Sequence, residues 1–339
     1  MTAGPLGVAL LGSGRMGAFH AQTLARRLPS ARLVAVADPA QGAAEYLTGV
    51  LGAGRAYTDA AQVWDDPEVD AVVVAAPARA HADLVVAAAA AGRHVFCEKP
   101  MAVTLPDADR AIDAARAAGV VLQVGFNRRF APDWAAARAL LDDGMLGTPR
   151  LLRSLTRDPG GFVPARVRPD TVFLETLIHD FDTLRFLHPG AEAVEVHAVA
   201  DALVEPAWRD RGLLDTAVVV VRFADGAMGV AEACFEASYG YDVRGEVLGS
   251  GGMATMGDGR RTGMVFSGPG GRVAETVRSD QELFAGAYTA ELAAFVDAVR
   301  GRTPPPVTGE DARAALAIAL AAAESVRAGR PVRTDEVEK

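Results

Sequence analysis

Residues 6–17 constrain the fold more than any other stretch. The apolar run Leu6-Gly7-Val8-Ala9-Leu10-Leu11 breaks into Gly12-Ser13-Gly14-Arg15-Met16-Gly17, and a helical pattern follows over 16–27. A buried strand, a glycine-rich turn and a helix in immediate succession open a βαβ unit. A second apolar run, 33–37, ends on Asp38, which stands 21 residues after Gly17. Gly12 lets the turn close tightly, Gly14 lets the backbone approach a pyrophosphate, and Gly17 lets helix and strand pack closely. The helix N-terminus supplies unpaired N–H groups and a positive dipole end for phosphate. The spacing therefore predicts a dinucleotide site. Asp38 suits ribose hydroxyls, and its charge repels a 2′-phosphate, so NAD is favoured over NADP. Arg15 and Met16, inside the turn, count among the expected cofactor contacts, with Arg15 also open to a 2′-phosphate.

Further apolar strands over 71–75, 94–97 and 120–124 alternate with helical segments at 40–50, 59–64, 81–91 and 107–118. This alternation predicts a doubly wound parallel sheet. The rhythm changes after residue 149. Longer strands follow at 150–157, 192–200, 214–223, 227–237 and 241–248, with one helix over 172–187 among them. Weaker strands near 260–278 precede helices over 282–300 and 309–328. This is an α+β pattern with a large, mostly antiparallel open sheet. At 339 residues the chain has room for two domains of roughly 150 residues. The expected division is an NAD-binding Rossmann domain at 1–125 and a substrate-binding and oligomerisation domain at 126–339.

Composition excludes several classes of function. The net charge is −9 without a basic stripe, so nucleic acid is not an expected partner. The longest apolar stretch, 84–91, is far below the roughly 20 residues that span a bilayer, and no membrane association is expected. Met1-Thr2-Ala3-Gly4-Pro5 lacks a basic leader, which gives a cytoplasmic expectation. Cys97 and Cys234 lie far apart in apolar runs and are expected as two buried thiols.

Ala75-Ala76-Pro77 ends a central strand, at the carboxyl edge where such sheets hold ligands. Main-chain contact with the cofactor is expected at Ala76 and Pro77. His81, which opens the next helix, is an expected neighbour. Glu98-Lys99-Pro100 follows strand 94–97 at the same edge, so Glu98 and Lys99 join the cofactor set and Lys99 points at the nicotinamide. Arg128 is a further expected cofactor contact. In the second half, Glu175 and His179 stand i,i+4 and share a face of an α-helix. A histidine with a carboxylate one turn away suits general acid–base chemistry near neutral pH. No metal is expected, because the neighbouring His179, Asp180 and Asp182 point in different directions. No nucleophile-elbow motif supports a hydrolase with a serine nucleophile. Tyr288 is open between a place in the site and core packing.

Together the dinucleotide fingerprint, Glu98-Lys99-Pro100 and the helix bearing His179 resemble the Gfo/Idh/MocA oxidoreductase family over nearly the whole chain. Gly125-Phe126-Asn127-Arg128-Arg129-Phe130, Arg157-Asp158-Pro159 and Phe181-Asp182 belong to the same likeness, and Tyr239-Gly240-Tyr241-Asp242 points to its inositol-type branch. The resemblance implies NAD-dependent hydride transfer with a ring hydroxyl of a cyclic polyol or sugar. It makes Lys99 the holder of the reacting hydroxyl and His179 the base in oxidation and acid in reduction. It places Asp158, Glu175 and Tyr239 with Lys99 and His179 near the substrate. It also implies a homodimer or homotetramer through the outer face of the C-terminal sheet. Two departures stand out. The family pattern has Asp one turn before the histidine where this chain has Glu175, and Gly-Gly before that helix where this chain has Pro169-Asp170-Thr171-Val172. The alternatives are a pyranose or anhydrosugar dehydrogenase, an NAD-dependent glycoside hydrolase and a non-catalytic sensor.

Overall fold

The computed structural model describes residues 4–162, 165 and 167–337. The chain divides into two compact units, Met1–Asn127 with Gly286–Ala314, and Arg128–Ala285 with Ala315–Lys339.

The first unit alternates β1 (Leu6–Leu11), α1 (Arg15–Arg26), β2 (Ala31–Ala37), α2 (Ala43–Leu51), β3 (Arg55–Tyr57), α3 (Ala61–Trp64), β4 (Ala71–Val74), α4 (His81–Ala90), β5 (His94–Cys97), α5 (Leu105–Ala118) and β6 (Leu122–Val124). All neighbouring strands pair in parallel, in the order β3-β2-β1-β4-β5-β6. The order reverses between β1 and β4, which makes the carboxyl ends of those strands the switch point of the sheet. The strands read as near-continuous apolar runs because helices cover both faces: every residue of β1 and of β4 is buried. The sequence pattern omits β3, whose three residues are fixed by pairing with β2.

The second unit contains α6 (Pro132–Asp142), β7 (Pro149–Arg157), a π-helical turn (Val172–Leu177) leading into α7 (Ile178–Phe186), β8 (Ala193–Asp201), β9 (Thr216–Phe223), β10 (Met228–Cys234), β11 (Asp242–Gly249), β12 (Met253–Met256), the hairpin β13 (Arg260–Gly268) and β14 (Gly271–Thr276), and α8 (Asp280–Leu283). After α9 (Ala285–Val299) and α10 (Gly309–Ala328), the short β15 (Val332–Arg333) completes a sheet ordered β12-β11-β7-β10-β9-β8-β15. All its pairs are antiparallel except β7–β10. Burial alternates along β9, so one face is packed and the other open. Cys234 lies with Glu232 on the more open side of β10 and is half-buried, a correction to the two buried thiols expected; Cys97 is buried.

The units are not two consecutive blocks. Leu292, Phe295 and Val296 of α9 belong to the same apolar core as Val8, Leu10 and Phe96. The residues from Gly286 to Ala314 therefore fold with the N-terminal sheet, where the expected division assigned them to the second domain. Among the described residues no helix is long and apolar enough to cross a membrane.

Candidate active site

In the first unit, Gly12 has φ +95°, and a Cβ there would meet Ala75 O at 2.7 Å and Ala76 Cα at 2.8 Å. A Cβ on Gly17 would lie 1.9 Å from Gly12 O, so only glycine lets α1 start this close to the turn. Gly14 faces open space, which leaves its backbone approachable. Arg15 is exposed and Met16 half-buried at the first turn of α1. Asp38 Oδ2 accepts from both the N–H and the hydroxyl of Ser13, each at 2.7 Å, and Oδ1 accepts from Ala40 N–H at 2.9 Å. Burial pushes the Asp38 carboxyl up, but these three hydrogen bonds outweigh it and hold the group below the usual aspartate range. The turn and the acid are thus joined before any ligand arrives. The open glycine backbone, the helix N-terminus and the anionic Asp38 together fit a dinucleotide with a free 2′-hydroxyl.

Ala76, Pro77, Glu98 and Lys99 follow the carboxyl ends of β4 and β5, on the same edge as Gly12. Lys99 is half-buried and precedes a cis peptide to Pro100. His81 is 2% exposed. Its Nδ1 lies 2.8 Å from Pro100 O and its Nε2 2.7 Å from Ala76 O. The ring sits between two main-chain carbonyls, and as a neutral imidazole it donates its one N–H to one of them, at strand ends where the sequence suggested cofactor contact. Burial lowers its pKa, with the two carbonyls acting the other way. Tyr288 is buried, edge-to-face against Phe19 and His20, which is the core-packing alternative.

In the second unit, His179 is the second residue of α7 and is half-buried. Glu175 lies in the preceding π turn and is exposed. The sequence suggested a continuous α-helix here; the structure puts Glu175 in a turn with i→i+5 spacing that leads into α7. The Thr183 hydroxyl donates to His179 O at 2.9 Å. Asp180 is fully buried and accepts from Arg128 at 2.7 Å, Ser154 at 2.6 Å and Thr156 at 2.7 Å. Asp182 takes Arg129 in a two-point pair at 2.9 and 2.6 Å. These pairs tie α7 to β7 and to the segment after β6, and they engage both carboxylates of the rival metal set. Arg128, 2% exposed, also reaches Thr156 at 2.6 Å. It is a buried anchor of this unit, at a position where the sequence suggested cofactor contact.

Asp158 follows β7, and its backbone is clamped by Cys234 O and Ala237 N–H. Tyr239, 49% exposed, donates to Asp242 at 2.6 Å and accepts from Arg157 at 3.3 Å. Burial, then the Asp158 charge, pushes the neighbouring Tyr241 phenol up. The parallel pair β7–β10 therefore gathers Asp158 and Tyr239 beyond its carboxyl ends. Ser13, His20 and Glu291 escaped the sequence reading; for Ser13 the signal was its place inside the glycine turn opposite an acid.

Residues 6–126 match the profile of an oxidoreductase family, NAD-binding Rossmann fold, and residues 138–334 match that family's C-terminal alpha/beta domain. The chain is 37% identical to myo-inositol 2-dehydrogenase of Thermotoga maritima, across 97% of this chain and 99% of that one. It is 36% identical to scyllo-inositol 2-dehydrogenase (NAD(+)) of Bacillus subtilis, across 96% of both. The crystal structure of scyllo-inositol dehydrogenase from Lactobacillus casei with bound NAD(H) and scyllo-inositol superposes with a TM-score of 0.92 at 27% identity, covering 98% of this chain and 99% of that one. Sequence and fold agree over both halves, and the chain belongs to the Gfo/Idh/MocA oxidoreductase family with its NAD-binding Rossmann domain.

Proposed function

We propose that this protein is an NAD-dependent dehydrogenase that oxidises a ring hydroxyl of a cyclic polyol, an inositol. The observation that carries the reading is Lys99, a half-buried amine in the turn at the carboxyl end of β5, on the sheet edge that holds the dinucleotide turn. The full-length likeness to inositol dehydrogenases supports the substrate class.

A bound NAD would supply the hydride acceptor for the carbinol carbon. His179 takes the hydroxyl proton during oxidation and returns it during reduction. Lys99 donates a hydrogen bond to the same oxygen and stabilises the developing alkoxide. Asp158 and Tyr239 bind other hydroxyls of the ring, and Gly12, Gly14, Gly17 and Asp38 hold the cofactor. The test is NADH absorbance with myo-, scyllo- and chiro-inositol, glucose and xylose, run with NAD and NADP separately. Turnover of an inositol with NAD supports the reading; NAD binding without turnover of any substrate refutes it.

A second reading, a pyranose dehydrogenase, is favoured by Glu175, which is longer than the family's Asp and sits in a π turn. Activity on glucose or xylose alone would select it. The assembly is a homodimer or homotetramer through the open face of the second unit's sheet, where Val199, Val218, Val220 and Met228 are 41–68% exposed. Apolar exposure of this kind on one sheet face suits burial against a second copy.

A further inference from the structure

Behind the Lys99 turn, three titratable side chains meet inside the first unit: His20 of α1, Glu98 after β5 and Glu291 of α9. Their exposures are 0%, 6% and 0%, and one nitrogen or oxygen of each lies within 4.8 Å of the others. Glu98 is engaged at both ends. Its Oε1 lies 2.7 Å from His20 Nε2, and its Oε2 accepts the Lys99 peptide N–H at 3.2 Å. This carboxylate is the clip that fixes the Lys99 backbone.

Glu291 is placed differently. Neither of its carboxylate oxygens has a hydrogen-bond partner among the described residues, and neither does His20 Nδ1. The helix backbone at Glu291 is held instead, by the Gln123 amide donating to Glu291 O at 2.8 Å. The cluster is walled by Phe19, Phe96 and Tyr288, whose rings stack edge-to-face around His20. Two carboxylates this close in an apolar interior do not both ionise.

We propose that Glu291 is a positioning residue for the Lys99 turn: it is carried as a neutral carboxylic acid, so that Glu98 alone bears the negative charge that holds His20 and the Lys99 peptide. Burial, with the Glu98 charge adding to it, pushes the Glu291 carboxyl well above the usual range. Burial also pushes Glu98 up, but the hydrogen bond and charge of His20, with Lys99 and His81, hold it below. Glu291 meets His20 from α1 and Glu98 from the turn after β5; Lys99 and His81 act on Glu98, and the Tyr288 ring packs on His20. Because Lys99 is the group assigned above to the reacting hydroxyl, the inference rests on that reading.

The experiment compares wild type, E291Q and E291A for denaturant stability against pH and for NADH formation. A carboxyl whose folded pKa is raised binds an extra proton in the folded state, so stability falls as pH rises above the ordinary glutamate range. Gln cannot titrate. The difference between wild type and E291Q should therefore shift steadily against wild type with rising pH. E291A should lose turnover by on the order of 10-fold to 100-fold through displacement of the Lys99 turn, and E291Q should restore most of it. Parallel stability curves for wild type and E291Q would overturn the proposal. So would a stoichiometric divalent metal that copurifies with wild type and is absent from E291Q, since Glu291 would then be an ionised ligand. The pH–stability comparison needs no substrate, so it decides the state of Glu291 even if no polyol is oxidised.

Discussion

Arg128 offers the sharpest test of what the structure assigns against what the motif suggested. Its guanidinium is 2% exposed and lies 2.7 Å from Asp180 Oδ1, while Asp180 is fully buried. Replacement by Met keeps length and apolar bulk but leaves the Asp180 charge uncompensated in the interior. Breaking one side of such a pair costs about 3–5 kcal/mol. Asp180 would keep the hydroxyls of Ser154 and Thr156, which places the expected loss near the lower end of that range. R128M should therefore lower the unfolding free energy of the second unit by about 3 kcal/mol in urea denaturation. The double variant R128M/D180N removes both charges; Ser154 and Thr156 use different Asp180 oxygens, so the new amide accepts from one hydroxyl and donates to the other, and most of the loss should return. NAD affinity, measured by titration of the folded protein, should stay within about 2-fold of wild type, a change of under ~0.5 kcal/mol. A stable R128M protein with NAD binding weakened tenfold, about 1.4 kcal/mol, would refute the buried-anchor assignment and return Arg128 to the cofactor.

Four other outcomes follow from the same structure. G17A forces a Cβ to 1.9 Å from Gly12 O and should destabilise the first unit by about 1–3 kcal/mol, whereas G14A, which meets nothing, should leave the melting temperature unchanged and weaken NAD binding. D38A should raise NADP affinity relative to NAD by about 5-fold or more as charge repulsion is removed, read from paired kinetic titrations. Because hydrogen bonds hold the Asp38 carboxyl low, its contribution to stability is present above the ordinary aspartate range and is lost as pH falls through its lowered value; D38N should flatten that acid limb in denaturant titrations. H179A should cut turnover by about 10²–10⁴-fold and remove the histidine limb of the pH–rate profile, with NAD affinity retained.

The parts of this fold that depend on local spacing were legible. Six apolar residues running into Gly12-Ser13-Gly14, with Asp38 closing the next strand, allow few structures other than a dinucleotide fold. What escaped depends on partners far along the chain. β15 is two residues long and exists because β8 offers an edge. α6 does carry a sequence signal, since Pro132 stands at its first position, where a missing N–H costs nothing. The π turn was illegible because an i→i+5 stretch and an α-helix bury similar apolar residues over six positions. The apolar face of α9 was visible, but not that Phe295 would meet Phe96 in the other sheet's core. The ion pairs of Arg128 and Arg129 were illegible because Asp180 and Asp182 lie 52 and 53 residues downstream.

The two groups proposed to act on the reacting hydroxyl are anchored by different physics. Lys99 depends on a buried anion, Glu98, and on the His81 ring that lies between Pro100 O and Ala76 O. Its position is therefore sensitive to the protonation of groups that never touch substrate. His179 is set by a helix whose next residue and the one two further on are locked by arginines. Arginine stays charged across the whole accessible pH range, so this anchor changes only when Asp180 or Asp182 is protonated. Over the neutral and alkaline range these two ion pairs hold the placement of His179. A rate that falls again at alkaline pH in wild type but not in E291Q would then trace to the Lys99 side, because the two proteins differ only in whether residue 291 can titrate.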